Sequence, residues 1–377
     1  MVAAHAVAQS QLPMHLWYNR PAEYFEESLP IGNGKLGASI YGSPDDNILY
    51  LNDITLWTGK PVDPKLDEGA SRWIPDIRKA LFEEDYALAD SLQLHVQGPN
   101  SQFYQPLGTL HIIDHNEGDT RYYRRQLSLD SAICTDSYQK GDRYFSREYF
   151  ASAPDKLIAM RIRNRNGEGG INCSIVLTSQ IPHSVKAMGN GQMVMTGHAI
   201  GDPRESIHFC SMLLATTDRR GRITSKDSTL TVQGATELTI YFVNETSFNG
   251  SLKHPVSEGA PYIENAEDDL WHTTNATYEQ FRQKHIEDYR KYYGRTTLLL
   301  GDRKSSAADL LVPRDSVFDG SADTESFGNC EKGDTPYEWI VRNYDLMKED
   351  TDQYLMYGPA LSGVFEVGIE DNKITKY

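Results

Sequence analysis

Apolar and polar positions alternate in short runs over about residues 16–248, and Gly, Asn, Asp and Pro interrupt these runs about every 8 to 12 residues. This pattern is typical of strands in a sandwich or barrel. It predicts nine strands: Leu36–Tyr41, Ile48–Leu51, Thr109–Ile113, Tyr144–Phe150, Leu157–Ile162, Ile171–Leu177, Met193–Gly197, Ile207–Ala215 and Leu238–Val243. We therefore expect a mainly β fold built as a large antiparallel sandwich.

One helix interrupts the predicted strands. Arg72–His95 carries apolar residues at spacings of four or seven, namely Trp73, Ile77, Leu81, Leu88 and Leu92. Such spacing places them on one side of a helix, and Pro75 falls in the first turn, where its missing N–H costs little. We expect an inserted amphipathic helix laid on the sheets.

A second helical stretch, Ala266–Tyr293, follows the strands. Its apolar side is formed by Leu270, Tyr278, Phe281, His285, Tyr289 and Tyr293. A long helix that is polar on its other face is typical of a linker between domains. After it we predict a strand at Thr296–Leu300, a linker rich in Ser, Asp, Gly and Glu at 303–335, a short helix at Trp339–Met347, and a hairpin of Val364–Ile369 with Lys373–Tyr377.

Length and charge narrow the classes of function. The chain has 377 residues, room for two or three domains, and 53 Asp and Glu against 37 Lys and Arg give a net charge of −16. That charge repels a phosphate backbone, so we expect no nucleic-acid partner. No apolar run approaches the roughly 18 residues that cross a bilayer, so we expect no membrane span. The 22 Tyr and 5 Trp suit either a sugar-stacking surface or an ordinary β-rich core.

The cysteine spacing and the N-terminal residues bear on the cellular compartment of the protein. Four cysteines lack any Cys-x-x-Cys spacing, so we expect buried thiols: Cys134, Cys173, Cys210 and Cys330. Ala6-Val7-Ala8 is a small-x-small pattern suited to signal peptidase, although a charged n-region and a full apolar h-region are missing. We interpret residues 1–15 as a signal-peptide remnant and expect a secreted or periplasmic protein; a disordered Ala-rich terminus is the alternative.

Two motifs suggest cofactors, but their context argues against both. Gly32–Gly37 satisfies G-x-G-x-x-G, yet a β-like run follows where a dinucleotide site needs a helix, so we predict a tight turn with positive φ at glycine. His111 and His115 flank Asp114, but four residues of extended strand separate them by about 13 Å, too far for one metal ion. We expect no cofactor and no metal.

Three ordered blocks, Leu16–Ala22, Leu29–Gly37 and Leu51–Pro61, closely resemble the opening of glycoside hydrolase family 95, the inverting α-L-fucosidases and α-L-galactosidases. Tyr104–Gly108, and His285–Tyr289 together with Arg295–Gly301, resemble later parts of the same N-terminal region. The resemblance covers about residues 16–302. It implies an N-terminal β-supersandwich, a helical linker, an (α/α)6 barrel and a C-terminal β-domain.

The resemblance ends where the family's catalytic barrel begins. The family's general acid Glu and its Asp base lie in that barrel, so no catalytic residue can be assigned, and we expect the (α/α)6 barrel to be absent. We predict four parts: a signal-peptide remnant (1–15), an N-terminal β-supersandwich domain (16–265), a helical linker and strand (266–302), and an unmatched tail (303–377). Truncation, frameshift or fusion would account for the tail.

The predicted function is that of the N-terminal domain of an α-L-fucosidase-type hydrolase, inactive as this truncated chain. Its partner would be a fucosylated oligosaccharide or glycan, held through the missing catalytic domain. Two alternatives stay open: a non-catalytic carbohydrate-binding or structural β-sandwich module, and a split hydrolase whose barrel is a separate polypeptide.

Five residues are candidates to lie next to substrate: Asn33, Asn52, Trp57, Tyr104 and Gln105. Turn geometry and core or interface packing explain each of them singly just as well. With the barrel absent, we also expect self-association through the apolar side of the linker, centred on Phe281, Tyr289 and Tyr293, because large exposed apolar patches favour association.

Overall fold

A computed structural model gives the fold over residues 14–62, 68–97, 102–167 and 169–295, together with three short strands near the C-terminus. The strands are, in chain order, β1 His15–Tyr18, β2 Leu29–Gly32, β3 Leu36–Ile40, β4 Asp46–Asp53, β5 Gly108–Asp114, β6 Thr120–Ser128, β7 Ile133–Lys140, β8 Arg143–Ser152, β9 Leu157–Asn164, β10 Ile171–Thr178, β11 His183–Ala187, β12 Gln192–His198, β13 His208–Thr217, β14 Arg222–Lys226, β15 Thr229–Ala235, β16 Glu237–Thr246, β17 Leu355–Met356, β18 Phe365–Glu370 and β19 Lys373–Lys376. The helices of more than one turn are α1 Ile74–Phe82, α2 Tyr86–Gln93, α3 Tyr262–His272 and α4 Tyr278–Tyr293.

The first sixteen strands form two antiparallel sheets. One has nine strands in the order β1-β6-β7-β8-β9-β16-β13-β12-β11, and the other has seven in the order β14-β15-β10-β5-β4-β3-β2. The sheets face each other across one apolar core that draws on both. Each of the nine predicted strands overlaps an observed one, and the prediction of a mainly β, antiparallel sandwich is confirmed.

Burial along each strand reflects what covers its two faces. In β10, Ile171, Cys173, Ile175 and Leu177 are buried and the residues between them are not, because only one face of this strand meets the core. In β9 the first six residues, Leu157–Ile162, are all buried. This continuous burial arises because helices cover the outer face of the central strands of the nine-stranded sheet.

Helices α3 and α4 provide that cover and form a second apolar cluster with the sheet. Leu270, Tyr278 and Phe281 pack there against residues of β9, β13 and β16. The sequence predicted one helix over 266–293, whereas the structure has two. Thr277 is the N-cap that starts α4, and it forms a capping box with Gln280. The linker therefore belongs to the packed body of the sandwich over its described length.

Much of the side of α4 that was predicted to mediate self-association points inward. Phe281 is 2% exposed and its ring lies edge-on to Tyr241, 5.5 Å between centroids. The Tyr289 hydroxyl donates to the Leu129 carbonyl at 2.7 Å. Phe281 is therefore not exposed as predicted, because the nine-stranded sheet buries it, whereas Tyr293 is 36% exposed. Self-association stays a prediction.

The predicted helix over 72–95 is also divided. Glu84 has a φ of 60°, which breaks the helix, and Asp85 restarts it by accepting a hydrogen bond from the Leu88 N–H at 3.0 Å. α1 and α2 pack on each other and bury only Ala80 and Ala89, so the expectation that this element is laid on the sheets is wrong. Pro75 does lie at the start of α1, as predicted.

A buried polar network joins the two sheets at the turn after β3. The Arg147 guanidinium donates to Asp136 at 2.6 Å and to the carbonyls of Gly42 and Ser43 at 2.6 and 2.9 Å. Asp136 also accepts from the Tyr149 hydroxyl at 2.7 Å. Burial raises the pKa of Asp136, and the Arg147 charge offsets only part of the rise. This network fixes the 42–46 turn against the nine-stranded sheet.

The remaining predictions concern the C-terminal segments, the cysteines and the absence of a membrane span. β18 and β19 pair as an antiparallel hairpin with Glu370 opposite Lys373, which confirms the hairpin prediction. The predicted strand at 296–300, the helix at 339–347 and Cys330 lie outside the described residues. Cys134, Cys173 and Cys210 are buried free thiols, as expected. None of the helices that the structure describes is long and apolar enough to cross a bilayer.

Candidate carbohydrate-facing surface

The five candidate site residues meet at one end of the sandwich, which we call the loop end. It is formed by the turn at 33–35, the segment after β4, the segment before β5 and the connection between β12 and β13. Backbone hydrogen bonds join these segments in series: Ile54 N–H to Lys35 O and Gln105 N–H to Leu56 O, both at 3.0 Å. Residues far apart in sequence thus share one connected surface.

Asn33 shapes the turn at this end. Its side-chain oxygen accepts from the N–H groups of Lys35 and Leu36 at 3.0 and 2.7 Å, and its amide donates to Ser152 O at 2.9 Å. Gly34 has a φ of 91°, which confirms the predicted tight turn, and β3 follows it. Asn33 therefore holds the turn against the end of β8, and no helix follows to bind a pyrophosphate.

Trp57 and Tyr104 form the exposed aromatic part of the loop end. They are joined by an isolated antiparallel bridge, with their rings edge to face and 6.4 Å between centroids. Trp57 is 39% and Tyr104 44% exposed. The indole N–H donates to Ile54 O at 2.7 Å, and partial burial raises the pKa of the Tyr104 phenol. Their ring faces are thus held in place and accessible, which suits contact with a sugar ring.

Gln105 directly follows Tyr104 in the aromatic loop, and Asn52 lies in β4. Gln105 is buried; its amide donates to Tyr104 O at 3.0 Å and its side-chain oxygen accepts from Ile200 N–H at 3.4 Å. The buried side-chain oxygen of Asn52 has no hydrogen-bond partner among the described residues. Gln105 thus positions the aromatic loop, whereas Asn52 carries an unused acceptor next to it in β4.

A polar cluster behind the turn was not anticipated from the sequence. Asp53 is fully buried; one carboxylate oxygen accepts from Thr55 and the other from the Asn244 amide at 2.8 Å. Lys35 forms an ion pair with Glu245, which lies in the polar C-terminal end of β16. The cluster ties the start of β3 and the end of β4 to β16, and so sets the geometry of the loop end.

Besides Asp53, the cluster contains two neighbouring carboxyl groups, Glu245 and Asp269, and these are not arranged for glycoside cleavage. Burial raises the pKa of Glu245, with Lys35 opposing the rise and the neighbouring Asp269 adding to it. Lys156 lies 3.4 Å from Asp269. A glycosidase needs two carboxyl groups about 5–9.5 Å apart with the sugar between them. Glu245 and Asp269 instead lie close enough for Asp269 to raise the pKa of Glu245, and each faces a lysine.

The two histidines considered as metal ligands have separate partners. His111 lies 3.0 Å from a carboxylate oxygen of Asp46, and His115 lies 3.1 Å from the Ser174 hydroxyl. No group of three or more His, Cys, Asp or Glu in the part of the chain that the structure describes has the geometry to hold a metal ion. The two histidines thus form separate local polar contacts, His111 on β5 and His115 directly after it.

Comparison with known proteins identifies the fold that carries this surface. The model of glycosyl hydrolase family 65, N-terminal domain, matches residues 16–251. This chain belongs to that family. Alpha-L-fucosidase 2 of Arabidopsis thaliana is 27% identical over 76% of this chain and 37% of its own length. Probable alpha-fucosidase A of Aspergillus niger is 28% identical over 78% of this chain and 38% of its own length.

This chain thus spans well under half the length of these two curated relatives. Among solved structures, a putative kojibiose phosphorylase from the human microbiome aligns with 13% identity and a TM-score of 0.44, over 75% of this chain and 39% of that one. The family assignment and the fucosidase relatives confirm the resemblance drawn from the sequence blocks.

One sequence signal pointed to the missed cluster of this glycosyl hydrolase domain. β16 is apolar from Leu238 to Val243 except at Thr239 and ends in Asn244-Glu245-Thr246, of which Asn244 and Thr246 are buried and Glu245 is half-buried. A polar run at the end of a buried strand needs partners, because buried polar groups are nearly always hydrogen-bonded. The identity of those partners depended on β4 and α3, which no local pattern could pair with β16.

Proposed function

We propose that this chain is the N-terminal β-sandwich domain of an α-L-fucosidase-type glycoside hydrolase, whose intact form removes terminal α-linked L-fucose or L-galactose. The observation that carries the proposal is the family match over residues 16–251 together with relatives named as α-fucosidases. We further propose that the chain by itself has no turnover.

The chemistry of glycoside hydrolysis supports the second part. One carboxyl group must protonate the leaving oxygen while a second activates water or attacks the sugar. At the loop end Asp53 is locked by Thr55 and Asn244, and Glu245 is paired with Lys35. These carboxyl groups stabilise the loops, and none is free to face a sugar.

The part of the loop end proposed to face substrate is the Trp57–Tyr104 pair. Their exposed rings project from loops that Asn33, Gln105 and the buried cluster hold rigid. α4 runs toward the same end, since its last turns contact the 129–130 connection between β6 and β7. We propose that the catalytic part of the intact enzyme meets the sandwich there, with Trp57 and Tyr104 at the rim of the sugar site.

The location of the protein is proposed from the sequence alone. Ala6-Val7-Ala8 suits cleavage by signal peptidase, and we propose a secreted or periplasmic protein. Fractionation of cells that express the natural gene should recover the protein outside the cytoplasm; recovery in the cytoplasm alone would contradict this.

Replacement of a domain tests the proposed function. Residues 16–295 would replace the matched N-terminal segment of the Arabidopsis thaliana relative, and the monodisperse, cooperatively melting chimera would be assayed for fucose release. We expect activity in the chimera and a raised KM in the chimera with Trp57→Ala. The matched control is Trp271→Ala, which removes an exposed tryptophan from α3. A folded chimera that releases no fucose would contradict the proposal.

The exposed aromatic pair also favours a second candidate, a carbohydrate-binding module. In that case the isolated chain would bind fucosylated oligosaccharide through Trp57 and Tyr104 with no catalytic partner. Titration followed by tryptophan fluorescence would then saturate in the unmodified chain and in Trp271→Ala, and be lost in Trp57→Ala. The absence of saturable binding by the isolated chain would favour the hydrolase-domain role over the module.

A further inference from the structure

A polar cleft of about 510 Å³ lies on the outer face of the nine-stranded sheet, beside α4. Because alternate residues of a strand share a face, the strand register sets its floor. Two rows of four side chains cross β6 to β9, first Arg124, Ser137, Ser146 and Arg163, then Gln126, Thr135, Glu148 and Arg161. The floor is therefore a regular array of hydroxyl, amide and guanidinium groups.

The cleft is cationic although the whole chain carries a charge of −16. Apart from the buried Asp136–Arg147 ion pair, its lining combines two carboxylates, Glu148 and Glu279, with five arginines: Arg124, Arg161, Arg163, Arg165 and Arg282. Both carboxylates are used: Glu148 accepts from Arg282 at 3.1 Å, and Arg161 holds the pKa of Glu279 below its usual value. Positive charge is thus left over in the cleft.

Two arginines carry that surplus. Arg165 and Arg124 have no carboxylate partner among the described residues. The Arg165 guanidinium donates to the Ser146 hydroxyl at 2.7 Å, which positions it over the floor of the cleft. The Arg124 guanidinium lies 4.7 Å from the ring centroid of Trp17, which is next to Gln126 in the register. Ser137 lies between Arg124 and Ser146 on the intervening strand.

We propose that this cleft binds an acidic saccharide, with Arg165 and Arg124 each binding one of its carboxylate or sulfate groups. Guanidinium groups pair with such planar or branched anions through two parallel hydrogen bonds. The serine and threonine hydroxyls and the Gln126 amide, on strands about 4.8 Å apart, match the sugar hydroxyls, and Trp17 lies at the rim. A nucleic acid is disfavoured because the rest of the chain is strongly negative. The inference does not rest on the fucosidase assignment.

Native gel electrophoresis of the full chain through gels that contain polygalacturonate, dextran sulfate or neutral dextran tests the proposal. We expect retardation by at least one acidic polysaccharide, weakened by salt, and none by dextran. Polygalacturonate alone would identify a carboxylate ligand and dextran sulfate alone a sulfate ester. Lack of retardation by both, equal retardation by dextran, or tighter binding of duplex DNA with the same arginine dependence would overturn the proposal.

Variants assign the binding to the cleft. Arg165→Gln and Arg124→Gln should each weaken the interaction about tenfold, the loss typical of one charged hydrogen-bonding partner. The control Arg222→Gln removes the same charge from β14 in the other sheet and should have less than a twofold effect. Ser146→Ala leaves the charge unchanged and should weaken binding a few-fold if the floor contributes. Equal effects of Arg165→Gln and Arg222→Gln would show non-specific attraction and overturn the assignment.

Discussion

Arg147→Met is predicted to destabilise the sandwich strongly. Arg147 and Asp136 are both buried, with side chains 2% and 1% exposed, and the substitution leaves Asp136 without a compensating charge. It also removes the donors for the carbonyls of Gly42 and Ser43. Removal of one partner of a buried ion pair costs about 3–5 kcal/mol. For a domain of this size that loss corresponds to a fall in Tm of about 10 °C.

The pH dependence of the loss provides a second signature. Without Arg147, the pKa of Asp136 in the folded state should rise further above its unfolded value of about 3.9, because burial already raises it and the offsetting charge is gone. The folded state then binds the proton more tightly than the unfolded state, so stability falls as pH rises. The loss relative to the unmodified chain should therefore be larger at about pH 7.5 than at about pH 5.

Urea denaturation followed by circular dichroism at both pH values measures these effects. Arg222→Met, on the exposed strand β14, is the matched control and should change stability by less than about 0.5 kcal/mol. The double variant Arg147→Met with Asp136→Asn should recover part of the loss at the higher pH, because the unpaired charge is removed. A loss for Arg147→Met no larger than that for Arg222→Met, or an equal loss at both pH values, would refute the reasoning.

Three further predictions concern α4 and the turn at the loop end. Burial lowers the pKa of His285, so the unfolded state binds its proton more tightly and stability should fall as pH drops below about 6.5; His285→Gln should flatten that dependence in urea titrations, and an unchanged slope would contradict this. Phe281→Ala should cost about 3–5 kcal/mol, against less than about 0.5 for the exposed Tyr292→Ala, in the same titrations; similar losses would show that α4 is not docked. Gly34→Ala should cost about 1–2 kcal/mol because its φ is +91°, whereas Gly189→Ala, equally free of contacts but with ordinary φ, should be near neutral in thermal melts; equal costs would argue against strain.

The strands were predictable because their signal is local. β10 alternates buried and partly exposed residues, and β9 is apolar from Leu157 to Ile162 except at Arg161, so the apolar pattern of both strands follows their burial closely. The helix breaks were missed because apolar spacing continues across them. Glu84 interrupts the first helix through a backbone angle, and the Thr277 capping box starts α4 after a gap that periodicity does not register.

The loop end was predictable only in part. Family-like blocks located Trp57 and Tyr104, and the structure places them side by side. The cluster that supports them was not visible, because Lys35 and Glu245 are separated by 210 positions in the chain. Likewise the arginines of the cleft come from β6, β9, the residue directly after β9 and α4, and the register of the nine-stranded sheet brings the strand residues to one face.

The most direct test of the central claim is turnover by the chain alone. Purified chain at near-stoichiometric concentration would be incubated with an α-1,2-fucosylated oligosaccharide, and the anomeric proton signals followed by NMR, with the Aspergillus niger relative as positive control. The account predicts that the fucoside signal stays constant and that no free fucose appears, because Asp53 and Glu245 at the loop end are locked in structural contacts. Saturable release of fucose by a preparation free of other hydrolases would contradict it.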